Sequence, residues 1–182
     1  MGYKRNVYSI IALSSYARNW SSEFGERYRF VIFAKEFIVG RVIALIGFTL
    51  FLVAGIQFLR DRARGANVIK TGLYSVVRHP QYLGTIITTI GLTVMVLTLG
   101  GNPQIILSWL IQVLGYVILA RYEELRLEKQ HVEDFRQYRR NVPFMFPAKC
   151  PSKIPETIFT ILIAIIISLV FLIFPFELIR IR

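Results

Sequence analysis

An all-α membrane protein is the fold class this sequence predicts, and three observations predict it. Four runs are long and apolar enough to cross a bilayer, the basic residues gather between those runs, and too little polar chain remains to hide them in a soluble core. The 182 residues are 54% hydrophobic and only 18% charged, against about 25% charged in a soluble domain. That composition excludes intrinsic disorder, and the lone Cys150 excludes a disulfide scaffold. A net charge of +11 does not mark a nucleic-acid binder here, because apolar runs confine the basic side chains to clusters.

The N-terminal 37 residues carry Lys4, Arg5, Arg18, Arg27, Arg29 and Lys35. Their apolar run 7–17 is too short to span, and 30–39, interrupted by Lys35 and Glu36, reads as an interfacial lead-in. Polar Ser14-Ser15 and Arg18-Asn19 argue against a cleavable signal, and the side on which this segment lies stays open. Residues 42–59 form the first span, an uncharged run of 18. Residues 82–99 form the second, and 104–120 the third. Between them Gly100-Gly101-Asn102-Pro103 is a tight turn, so the two spans make a helical hairpin. The fourth span, 157–176, is the most apolar. The expected architecture is therefore a polytopic helical bundle of four to five transmembrane helices. It divides into an N-terminal segment 1–37, a core 38–155 and an additional C-terminal helix 156–182.

Charge sets the orientation. Segment 60–79 carries five Lys and Arg, segment 121–155 carries eight, and the intervening turn none, which predicts both polar segments on the cytoplasmic side of the cell membrane. The hairpin brings them together at that face. With only His79, His131 and Cys150, no His/Cys metal cluster can form. There is no glycine-rich nucleotide loop and no serine elbow, and Cys150 between Lys149 and Pro151 reads as an ordinary thiol.

Two polar stretches remain as carriers of chemistry. In the first, Gly72 permits a turn and Pro80 suits the first turn of a helix, which puts Arg78-His79 at a helix N-terminus beside the membrane. Free backbone N–H groups there favour an anion, whereas the plainer alternative is a snorkelling Arg with an interfacial Tyr. In the second, Glu123-Glu124 lie where the third span leaves lipid, a place that demands water or a cation. Glu124 and Glu128 share one helix face, Glu123 and Leu127 another, and Arg121 can pair with Glu124. A salt-bridged solvated helix is the alternative here. Beyond come Phe135-x-x-Tyr138, Val142-Pro143 and Pro147, where the helix ends and an aromatic loop folds back.

In order, Gly72-Leu73-Tyr74, Arg78-His79-Pro80-Gln81-Tyr82, Glu123-Glu124-Leu125-Arg126-Leu127, Phe135-Arg136-Gln137-Tyr138 and Val142-Pro143-Phe144-Met145-Phe146-Pro147 resemble the pattern of the isoprenylcysteine carboxyl methyltransferase superfamily. That superfamily also includes phospholipid and small-thiol methyltransferases. The resemblance covers roughly residues 66 to 147. It implies a cytoplasm-facing pocket for S-adenosylmethionine, capped by the loop after the third span. Ala66, Asn67, Val68, Ile69, Tyr74, His79, Pro80, Gln81 and Tyr82 would line the cofactor, and Glu123 would meet it with Glu124 beside. A sulfonium carrying an α-ammonium suits a carboxylate, its own carboxylate suits donors such as His79, and adenine suits apolar and aromatic walls. The reaction is an in-line displacement without a metal. Positioning alone supplies roughly 7–11 kcal/mol of the barrier, and no catalytic base is singled out.

Carboxyl-methylating members carry an Arg four residues before the first Glu, a position held here by Leu119. Arg121 is the substrate-side guanidinium that remains, about 200° around the helix from it. The expected partners are therefore the lipid bilayer and a lipophilic or small neutral acceptor (amine, thiol or hydroxyl) rather than a prenylcysteine carboxylate. The alternative is an NADPH-dependent membrane reductase of the sterol-reductase type. Such proteins share Arg-His-Pro-x-Tyr but carry Arg-Cys after the acidic residue and a Trp near the place of Phe135. Span 157–176 is expected to add packing rather than to wall a substrate entrance.

Overall fold

Apolar runs without charge leave the backbone no partner in lipid except itself, so each becomes a helix. In a computed structural model, residues 38–66, 68–98, 101–147 and 154–173 are described. They form α1 (Ile38–Ala63), a 3-10 turn (Gly72–Ser75), α2 (Pro80–Thr98), α3 (Ile105–Gln130), α4 (Val132–Asn141) and α5 (Glu156–Ile173), with no strand among the described residues. Four of these, α1, α2, α3 and α5, are long and apolar enough to cross a membrane. Together they mark an integral membrane protein. The segment 1–37, with its expected interfacial lead-in, lies outside the described residues, as do Asn67 and Cys150.

Two helices run past their expected ends. Both α1 and α3 have 26 residues, about 39 Å at 1.5 Å per residue, against a hydrocarbon core of about 30 Å. The excess of α3, residues 121–130, carries the charged sequence without a break, so the carboxylates stand on a continuous helix rather than in a loop. Lipid is the natural cover for α1, whose Leu45, Ile56 and Leu59 are each more than 60% exposed.

Small residues hold α1 against α2. Gly40, Gly47 and Ala54 recur every seventh residue and are buried, and Gly84 and Gly91 repeat the interval on α2. The helices run antiparallel, so Gly47 faces Gly84 and Gly40 faces Gly91. A Cβ on Gly47, Gly84 or Gly91 would fall within 3 Å of backbone atoms on the facing helix. Lipid provides no hydrophobic drive between helices, and close backbone approach supplies the contact instead. Hydroxyls in the same helix are neutralised locally: Thr85, Thr88 and Thr93 each donate to the carbonyl four residues back, at 2.8–3.0 Å.

The α2–α3 connection closes where Gly101 N–H meets Val96 O (3.0 Å) and Asn102 Oδ1 accepts from Gln104 N–H (3.0 Å). Trp109 on α3 donates its indole N–H to Ile86 O on α2 at 3.2 Å. The core gathers Ile86, Ile106, Trp109, Val113, Val117 and Ala164, so α5 packs along α3. Gly47→Leu is expected to lower the unfolding temperature of the detergent-solubilised protein by an amount equivalent to about 1–3 kcal/mol or more. Gly55→Ala, where the added Cβ meets only the Gln81 side chain at 3.9 Å, should leave it unchanged.

Candidate active site

Proline at the first position of α2 lacks the N–H that would go unbonded there, which fixes where the helix starts. The two residues before it are thereby held at the membrane end of the bundle. Arg78 is 4% exposed. Its backbone N–H goes to Pro143 O (3.0 Å) and its Nε to Val142 O (2.9 Å). One terminal nitrogen binds Glu124 of α3 and the other binds Glu156, the first residue of α5. Phe144 lies beneath the guanidinium, 5.5 Å from ring centre. One side chain thus ties together the start of α2, the emerging end of α3, the start of α5 and the loop after α4. Glu124, 1% exposed, also accepts from Arg121 at 3.1 Å.

Beside this cluster His79 stands between two carboxylates, with Nε2 3.4 Å from Glu124 and Nδ1 3.8 Å from Glu123. The ring is boxed by Tyr82 (stacked, 5.7 Å) and Phe144 (edge-on, 5.2 Å), and Tyr82 stacks in turn on Tyr116. The Tyr82 hydroxyl donates to Glu123 at 2.5 Å. Glu123 is therefore aimed, yet its side chain stays 47% exposed. It opens into a cleft of about 320 Å³, within the size range of small-ligand sites.

The other walls come from the loop between α1 and α2 and from α4. Gln57, the one amide in the first apolar run, accepts from Leu73 N–H (3.1 Å) and donates to Thr71 O (2.5 Å). Thr71 donates to Asp61 at 2.8 Å. Gly72 has φ +54°, and a Cβ there would strike the Gln57 amide, so a side chain would be both strained and obstructed. Across the cleft, Tyr138 donates to Tyr74 O (2.6 Å) and Lys70 pairs with Asp134 (3.2 Å). Burial pushes the phenols of Tyr74 and Tyr138 well above the usual tyrosine value. Both stay neutral at physiological pH, and Tyr138 keeps the proton it donates.

A family model described as a protein of unknown function, DUF1295, matches residues 7–142. The chain belongs to the DUF1295 family. No curated protein and no solved structure gives a match. Every residue lining the cleft of this DUF1295 protein falls inside the matched region, whereas α5 falls outside it.

The structure gathers Val68, Ile69, Tyr74, His79, Gln81, Tyr82 and Glu123 on one cleft. It does not bring the other expected residues there. Pro80 is buried beneath the wall as the first residue of α2. Ala66 accepts a hydrogen bond from Arg62 at 3.3 Å and is not part of the lining. Glu124 turns away from Glu123, because neighbours on a helix diverge by about 100°, and is consumed by Arg78 and Arg121. Arg121 stands with it on a different cavity, and Asn67 lies outside the described residues. Sequence reasoning missed Phe58, Arg62, Arg78, Arg126, Leu127, Gln130, Phe135 and Tyr138 as lining residues. Helical spacing carried the signal, since Arg126 and Gln130 follow Glu123 by three and seven positions and Arg62 follows Phe58 by four.

Arg78→Met is expected to cost about 3–5 kcal/mol, the loss when one partner of a buried ion pair disappears. Arg121→Ala, at a side chain 37% exposed, should cost no more than about 1 kcal/mol. Thermal unfolding of the two variants in the same detergent measures the contrast.

Proposed function

We propose that this DUF1295 protein is an integral membrane methyltransferase that moves a methyl group from S-adenosylmethionine to a neutral lipophilic or small acceptor, with the cleft facing the cytoplasm. Glu123 carries the reading: a half-exposed carboxylate, oriented by a tyrosine hydroxyl, in a cleft whose other walls combine aromatic and apolar side chains with the guanidinium groups of Arg62 and Arg126. That donor set fits the cofactor. Glu123 suits the α-ammonium, Arg62 or Arg126 the carboxylate, and the walls of Val68, Ile69, Leu127 and Phe135 the adenine. When bound, the cofactor supplies an electrophilic methyl group on a sulfonium.

The chain's own residues then have three tasks. Tyr82 and His79 hold Glu123 in place, which orients the ammonium it binds. Tyr138, Tyr74 and the Lys70–Asp134 pair bind the α1–α2 loop to α4 and hold one side of the cleft together. An amine, thiol or hydroxyl acceptor must also release a proton. The third task is the way out for that proton: half-exposed Glu123 leaves the cleft open to solvent, which takes it, because both ring nitrogens of His79 already face carboxylates.

A second reading draws on Arg62 and Arg126, two guanidinium groups that would also suit the phosphates of NADPH in a reductase. The volume of about 320 Å³ favours the smaller cofactor. Calorimetric titration of the full chain separates the two, with S-adenosylhomocysteine expected to bind and NADPH not. Glu123→Gln should weaken S-adenosylhomocysteine by about 1.5–3 kcal/mol, the range for a hydrogen bond to a charged group. Unchanged affinity in the folded variant, or saturable binding of NADPH alone, contradicts the proposal.

A further inference from the structure

Helix α3 has a second charged face. Arg121, Glu124 and Glu128 centre about 110° around the helix from Glu123 and Leu127, and they border a separate cleft of about 530 Å³. Arg136, Arg139 and Arg140 of α4 form its opposite wall, and Glu156 and Thr157 at the start of α5 close its end. The carboxylates here are already engaged. Glu124 is held by Arg78 and Arg121, Glu156 by Arg78, and Glu128 by Arg139 at 3.5 Å. Arg136 and Arg140 remain, exposed and without an ion pair among the described residues.

We infer that this cleft binds a phosphate-bearing anion at the membrane interface. Guanidinium forks match the paired oxygens of a phosphate, and two arginines without carboxylate partners leave the cavity with unspent positive charge. The first turn of α5, an 18-residue helix, opens on the same space and adds the positive end of its dipole. Depth favours a phosphate as well. The cleft lies where α3 passes from apolar to charged sequence and where the apolar run of α5 begins, which is the level of lipid headgroups. The inference goes beyond the methyltransferase reading and does not rest on it, because α3 and the Arg78–Glu124 pair separate this cleft from the first.

Titration of the full chain in dodecyl maltoside with dihexanoyl phosphatidic acid, and separately with inorganic phosphate, tests it by binding alone. Phosphatidic acid is expected to saturate the protein. The Arg136→Gln/Arg140→Gln double variant should weaken it at least about tenfold, and Lys129→Gln on the exposed end of α3 should not. Glu128→Gln, which removes a carboxylate from the same wall, should tighten binding about threefold. Binding of the lipid alone supports a headgroup site, and binding of inorganic phosphate as well supports a soluble phosphate ligand in the same place. Absence of both, or an equal loss in Lys129→Gln, overturns the inference.

Discussion

The ion pair between Arg78 and Glu124 is the interaction on which the rest of this structure depends. A guanidinium buried at the end of a membrane bundle is costly unless every donor is met. Here the guanidinium finds partners in three places at once: Glu124 on α3, Glu156 on α5 and the carbonyl of Val142 after α4. Satisfying one side chain therefore fixes the relative positions of three helices and a loop. The neighbouring His79 and Tyr82 inherit that precision, and through them so does Glu123.

Helix α3 turns this constraint into two separate environments. The helix continues as a rigid rod beyond the hydrocarbon region, so adjacent residues 123 and 124 are delivered to opposite sides of one wall. Glu123 remains available in an aromatic cleft, while Glu124 is spent on holding the wall together. The division of labour between two neighbouring carboxylates follows from helix geometry alone. Helix α5 joins the same network through Glu156, so it adds more than the packing expected of it.

Much of this was legible in the sequence because the bilayer imposes simple rules. Four uncharged runs yielded four helices, and Gly101-Asn102-Pro103 lies between α2 and α3 as a turn should. Pro80 marked a helix start, and the separation of Glu123 from Glu124 could be read from spacing. The illegible features are those that need two distant segments at once. Nothing local in Gln57 says that it clamps the loop around Gly72, and nothing local in Glu156 says that it meets Arg78. The seven-residue glycine repeats of α1 and α2 gain meaning only when one helix is laid against the other. The resemblance implied Ala66 and Pro80 in the cleft lining, but a turn and a helix start point alternate residues elsewhere.

The central functional claim is that the Glu123 cleft presents a methyl donor to an acceptor at the membrane. Incubating membranes that contain the full chain with methyl-labelled S-adenosylmethionine and a total lipid extract tests it most directly. The account predicts enzyme-dependent transfer of label into an organic-extractable product, and its loss with Glu123→Gln. Absence of labelled product from the wild-type protein, together with NADPH-dependent reduction of a lipid in the same extract, would contradict it.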